Sequence, residues 1–161
     1  MTRQIIQVIF ILFLTNCCST KNTTADKSKS TDPNYLVTGY YYLSKDSNKF
    51  QRQLYGTTRK YYLNPAPIIT VDNFTSASID QNKLGGYYIG INLDEAGGQK
   101  WSEAIGKTIG DSLAIIVNNE LVQVAKVNAQ ITAPVTAINR GGLTKSQADK
   151  YLEEIKAKMT K

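Results

Sequence analysis

The chain has 161 residues, with 19 basic and 13 acidic side chains, a formal net charge of +6, and no histidine. The missing histidine removes the usual general base and the commonest transition-metal ligand, which excludes serine triads, Cys-His dyads and zinc sites. The only cysteines are Cys17 and Cys18, so the folded part carries no disulfide of its own, and no metal or cofactor is expected.

Arg3 precedes an apolar run from Ile5 to Leu14, followed by Thr15-Asn16-Cys17-Cys18. This run is too short for a hydrocarbon core that needs about 20 residues, whereas a basic start and a short apolar stretch suit an export signal. The pattern resembles the lipobox of bacterial lipoproteins, with Leu14 three residues before Cys17 and a departure at Asn16, where a small residue is usual. The resemblance implies that residues 1–16 are a cleaved signal peptide and that Cys17 is lipidated, with palmitate-type chains. At about 0.8 kcal/mol per buried CH₂, two or three chains hold firmly. The expected location is the cell envelope, with the domain on the periplasmic or extracellular side of a bacterial membrane.

Losing Arg3 with the signal leaves a net charge of +5, spread along the chain. No Arg/Lys cluster with interleaved aromatics marks a nucleic-acid groove. Residues 17–34 are a polar tether too poor in apolar side chains to bury anything. Residues 35–161 have the size of one domain with one core.

Within that domain, Val37 to Leu43 reads as a first strand and Tyr61-Tyr62-Leu63 as another. Asn64-Pro65-Ala66-Pro67 is expected to break any regular element, leaving Ile68 to Val71 as a short edge strand. Tyr87 to Leu93 follows Gly85-Gly86 as a strand, and Asp94 and Glu95 then open a helix. Its stripe is Trp101, Ala104, Ile105, Thr108 and Ile109, with Gly97 and Gly98 weakening it and Gly110 ending it. Leu113 to Val117 has the character of a buried central strand, and Asn118-Asn119 turns it into the partner strand Leu121 to Val127. Ile131 to Ile138, broken at Pro134, reads as an irregular strand. Thr144-Lys145-Ser146-Gln147 is a capping box opening a helix with the stripe Ala148, Tyr151, Leu152, Ile155 and Met159. The economical fold is α+β, a mostly antiparallel sheet with two amphipathic helices packed on one face.

From Leu93 to Ile155 the chain is similar to the head of the first large periplasmic domain of SecD and SecDF, the accessory subunits of the protein-export translocase. Glu95-Ala96-Gly97-Gly98-Gln99-Lys100-Trp101 matches that family's helix start. Gly110-Asp111-Ser112-Leu113-Ala114-Ile115-Ile116-Val117 matches its Gly and Leu-Ala-Ile strand, and Gly142-Leu143-Thr144-Lys145-Ser146-Gln147-Ala148 its last helix entry. Tyr61 to Thr70 is similar to the lead-in. Asn118-Asn119 replaces the family's Asp-Gly turn, and Gln123-Val124-Ala125 replaces its Ser-Ala-Pro.

The resemblance implies a non-enzymatic binding module that contacts exported or unfolded polypeptide. Tyrosines in strands give broad apolar contact at low entropic cost, which makes Tyr41, Tyr42, Tyr62 and Tyr88 the candidate peptide-binding residues, although packing within the sheet is their commoner use. Arg140, in a small and apolar loop, is the candidate anion contact. The alternative is a lipoprotein that binds one specific folded partner, in an inhibitor, immunity or structural role unrelated to export. A hydrolase using Asp94, Glu95, Glu103 or Asp111 is disfavoured, since acids at a helix start ordinarily complement the dipole.

Overall fold

A computed structural model describes residues 32–47 and 50–159; the expected export signal, the expected lipidation at Cys17 and most of the expected tether lie outside the described residues. The first strand, β1 (Gly39–Ser44), alternates Tyr40 and Tyr42 on one face with Tyr41 and Leu43 on the other, and both faces are packed. β1 therefore belongs in the middle of a sheet. It pairs antiparallel with β3 (Lys60–Thr70) on one side and with β6 (Ser112–Val117) on the other. β2 (Phe50–Gln53) and β7 (Glu120–Lys126) complete a five-stranded sheet of order β2-β3-β1-β6-β7. Just beyond β2, Leu54 bridges to Leu121, and the Tyr55 N–H donates to the Leu121 carbonyl at 2.9 Å. The two outer strands thus meet and the sheet curls back toward a small barrel. Its inward side chains, including Tyr41, Leu63, Ala114, Ile116 and Leu121, are buried without a second layer over them.

A 3₁₀ turn (Val71–Asn73) leads into β4 (Phe74–Gln81), which pairs with β5 (Tyr87–Leu93), and β5 pairs in turn with β8 (Val135–Leu143). The α+β class stands as expected, with its antiparallel strands divided between two sheets. The outer face of the barrel (Tyr40, Leu113, Ile115), the inner face of the three-stranded sheet (Ile89, Ile91, Ile138) and both helices share one core. α1 (Glu95–Thr108) contributes Trp101 and Ile105, and α2 (Lys145–Met159) contributes Ala148, Tyr151 and Ile155.

Local chemistry explains the boundaries. Asp94 caps α1, its carboxylate accepting the Gly97 N–H at 2.6 Å, and Thr144 and Gln147 form the reciprocal capping box of α2. Asp94 also accepts from Asn73 Nδ2, which ties the 3₁₀ turn to the helix start. Asp94→Ala is expected to lower stability by about 1 kcal/mol in chemical denaturation, whereas Asp94→Asn keeps most of it. Asn118 and Asn119 adopt the positive φ angles of 47° and 69° that a two-residue hairpin turn requires.

Four boundaries differ from the sequence reading. β3 runs unbroken through Pro65 and Pro67; among the described residues β2 pairs with Lys60 to Leu63 and not beyond, so no described strand on that side needs the missing N–H of either proline. β4 carries no strand signal in sequence: its exposed face is Thr75, Ser76, Ser78 and Asp80, too polar to stand out. β8 starts after Pro134 rather than before it and extends through Gly141-Gly142, whose φ angles of 73° and 109° accompany an irregular register with β5. Ile109, placed on the buried stripe of α1, is its exposed C-cap. Gly97 and Gly98 do more than loosen α1: a Cβ on Gly98 would lie 2.8 Å from Pro134 Cβ, so the helix packs on the chain entering β8 only without one.

Candidate functional site

Where the two sheets separate, a groove of about 730 Å³ opens between the end of β7 with its following loop and the face of the three-stranded sheet. Its walls are Ala125 to Ala129 and Ile131 on one side, and Ser78, Asp80, Tyr88, Gly90, Asn92 and Val135 to Ala137 on the other. Tyr40, Leu113 and Ile115 from the barrel and Trp101 and Ile105 from α1 form its floor. The volume lies in the range of ordinary ligand sites. Asp80 and Lys126 stand on opposite walls, and the lining is otherwise uncharged.

The floor holds two polar atoms that the protein itself does not satisfy. Tyr40 and Trp101 are 2% and 4% exposed, their rings meet edge to face with centroids 4.8 Å apart, and neither the Tyr40 hydroxyl nor Trp101 Nε1 has a hydrogen bond of good geometry. Burial pushes the Tyr40 phenol well above its usual range, an effect offset in part by the nearby Thr136 side chain. An indole N–H is a donor only, so Trp101 Nε1 calls for an acceptor.

The candidate tyrosines are dispersed. Tyr88 lines the groove and is half-buried. Tyr41 is inside the barrel, 1% exposed, its hydroxyl donating to the Val37 carbonyl at 2.7 Å, and so presents no surface to a ligand. Tyr42 packs against the shared core, and Tyr62, on β3, accepts a hydrogen bond from Gln51 Nε2 at 3.0 Å. The four therefore form no common surface.

Arg140 is built into the seam of the barrel. It has a positive φ of 40°, donates from Nη2 to the Tyr55 carbonyl at 2.7 Å, and lies over the Tyr55 ring, which Lys150 also faces and against which Tyr151 packs. Its Nη1 is buried without a partner. Three contributors carry no site signal in sequence: Trp101 as a donor, Tyr55, and Gln123, whose Oε1 accepts the Arg140 main-chain N–H at 3.0 Å. Trp101 reads as one member of an apolar helical stripe, and the roles of Gln123 and Tyr55 arise only from contacts distant in sequence.

Two antiparallel sheets, a floor of core aromatics and a groove lined mainly by small and apolar groups define an α+β domain with an open groove. The model of the SecDF P1 head subdomain matches residues 47–154, and the chain belongs to that family. Among solved structures it is similar to SecDF in its super-membrane-facing form, at 19% identity and a TM-score of 0.54, over 60% of this chain and 13% of that one. It is also similar to SecDF described as a membrane component that enhances protein export, at 14% identity and a TM-score of 0.59, over 76% of this chain and 63% of that one. The likeness is one of fold, and the chain spans less than two thirds of either of these structures. No curated protein matches. Among the described residues no helix is long and apolar enough to cross a membrane.

Proposed function

We propose that this protein is a non-enzymatic binding module of the cell envelope, held to a bacterial membrane through lipid on Cys17, and that it contacts exported or unfolded polypeptide. The observation that carries the reading is the groove: it is open, nearly neutral and floored by Tyr40 and Trp101, with Tyr88 on one wall. Such a lining offers broad apolar contact with little demand for a particular partner side chain. Membership of the SecDF P1 head family supports a role beside protein export, since one SecDF is described as enhancing it.

Two experiments test the parts separately. Cys17→Ala is expected to move the protein from the membrane fraction to the soluble envelope fraction; retention in the membrane contradicts the lipid anchor. A photoreactive residue in place of Tyr88 in intact cells is expected to capture many unrelated exported chains, identified by mass spectrometry. A single dominant folded partner would instead establish the dedicated interaction protein.

A further inference from the structure

β7 and β8 run antiparallel and are joined by the 127–134 loop, yet no ladder connects them. At one end a single side chain stands in for the ladder: Gln123 Oε1 accepts from the main-chain N–H groups of Asn139 at 2.8 Å and Arg140 at 3.0 Å. Beyond this pin lies the groove, with Ala125, Lys126 and Val127 on one arm and Val135, Thr136 and Ala137 on the other.

The registers fix which way the main-chain groups point. The Leu93 N–H donates to the Pro134 carbonyl at 2.9 Å and Asn92 faces Val135, so Thr136 and Ile138 are the residues whose groups turn toward β5. Those of Ala137 turn away from β5, in the same sense as Asn139, whose N–H reaches Gln123. On the other arm, the Val127 N–H donates to the Asp111 carbonyl at 2.9 Å and Ser112 faces Lys126, so the groups of Val124 and Lys126 turn away from β6. Two strand edges thus flank one groove, each offering alternate donors and acceptors.

We propose that an extended polypeptide segment inserts between β7 and β8 as an additional strand and joins the two sheets into one. The inference rests on the polypeptide-binding reading above and adds the site and the mode. Charge complementarity names the occupant. Asp80 and Lys126 leave the groove without net charge, while the paired edges offer an ordered row of partial charges, which the backbone of an extended peptide matches. Small groups at Ala125, Ala129 and Ala137 leave room for that backbone. Recognition through main-chain bonds on both sides makes the site tolerant of side chains and intolerant of proline.

The test is an N-methyl scan of an acetylated, amidated octapeptide alternating valine with serine, titrated against the full chain. Insertion uses amides on both sides of the peptide, so methylating any of several consecutive amides is expected to weaken binding about tenfold or more. As a second measurement, Ala137→Pro removes an N–H facing the slot and none from the β5 ladder, and is expected to weaken binding similarly while preserving the circular dichroism spectrum. Sensitivity at every second amide would mean addition to a single edge and would overturn insertion, as would binding indifferent to methylation. If a reduced, alkylated unfolded protein binds and the octapeptide does not, insertion falls while the polypeptide reading stands; if neither binds, both fall.

Discussion

Above the ordinary phenol value of 10.0 the domain is expected to lose stability steeply and unfold in one cooperative step. Burial pushes the hydroxyls of Tyr40, Tyr41 and Tyr151 well above that value; Tyr35 adds to the effect at Tyr41 and Glu120 at Tyr151, while Arg52 and Arg140 respectively oppose it. A phenol whose value is raised in the folded state stabilises the fold fully below the unfolded value, and the contribution is lost as pH rises toward the folded one. Each phenol ionised only in the unfolded chain gives a slope of about 1.4 kcal/mol per pH unit. Tyr40, fully enclosed, contributes that slope in full, and Tyr41 and Tyr151, whose hydroxyls lie nearer solvent, add smaller ones, against a total stability of about 5–15 kcal/mol. Denaturation midpoints followed against pH should fall sharply above 10, with tyrosinate absorbance rising as circular dichroism is lost. Ionisation of all the tyrosines in a still-folded domain would contradict the burial described.

The second large effect is steric. Gly39 begins β1 between β3 and β6, and a Cβ there would stand 2.3 Å from the Ile69 carbonyl oxygen and 3.2 Å from Thr70 Cα. Both are backbone atoms of the neighbouring strand, so no side-chain rotation relieves the clash. Gly39→Ala is expected to cost about 3 kcal/mol or more, at or beyond the upper end of overpacking penalties, because β1 must part from β3 or shift against β6. The measurement is a urea midpoint against that of Gly85→Ser, in a turn where a Cβ meets nothing within 4 Å. Gly85 has a φ of +82°, so its own penalty is one of conformation, expected near 1 kcal/mol. Equal losses at the two sites would contradict the close approach of β1 and β3.

The elements with strong local signals were legible in the sequence. Asp94 at the start of α1, the Thr144–Gln147 box of α2, the Leu113–Val117 run and the Asn118-Asn119 turn each carry their reason within a few residues. What was hidden depends on partners distant in the chain. Pro65 and Pro67 read as breakers because sequence alone does not say that, among the described residues, β2 pairs with Lys60 to Leu63 and not beyond. The closure of the five-stranded sheet rests on Leu54 meeting Leu121, and the division into two sheets rests on β7 and β8 failing to pair, which no local pattern encodes. The same holds for the site. Tyr41 and Tyr88 look alike as strand tyrosines, yet β1 is covered on both faces and β5 on one, so the first is sealed in a barrel and the second borders a groove. Gln123, an ordinary strand residue by sequence, pins the two sheets through main-chain groups of residues sixteen and seventeen positions away.

The measurement that bears most directly on the central claim is residue-resolved amide hydrogen exchange of the full chain with and without a reduced, alkylated unfolded protein. Binding of polypeptide in the groove between β7 and β8 predicts new protection at Val124, Lys126 and Ala137, with the β4 edge unchanged. Protection confined to β4, or none at saturating ligand, would contradict it.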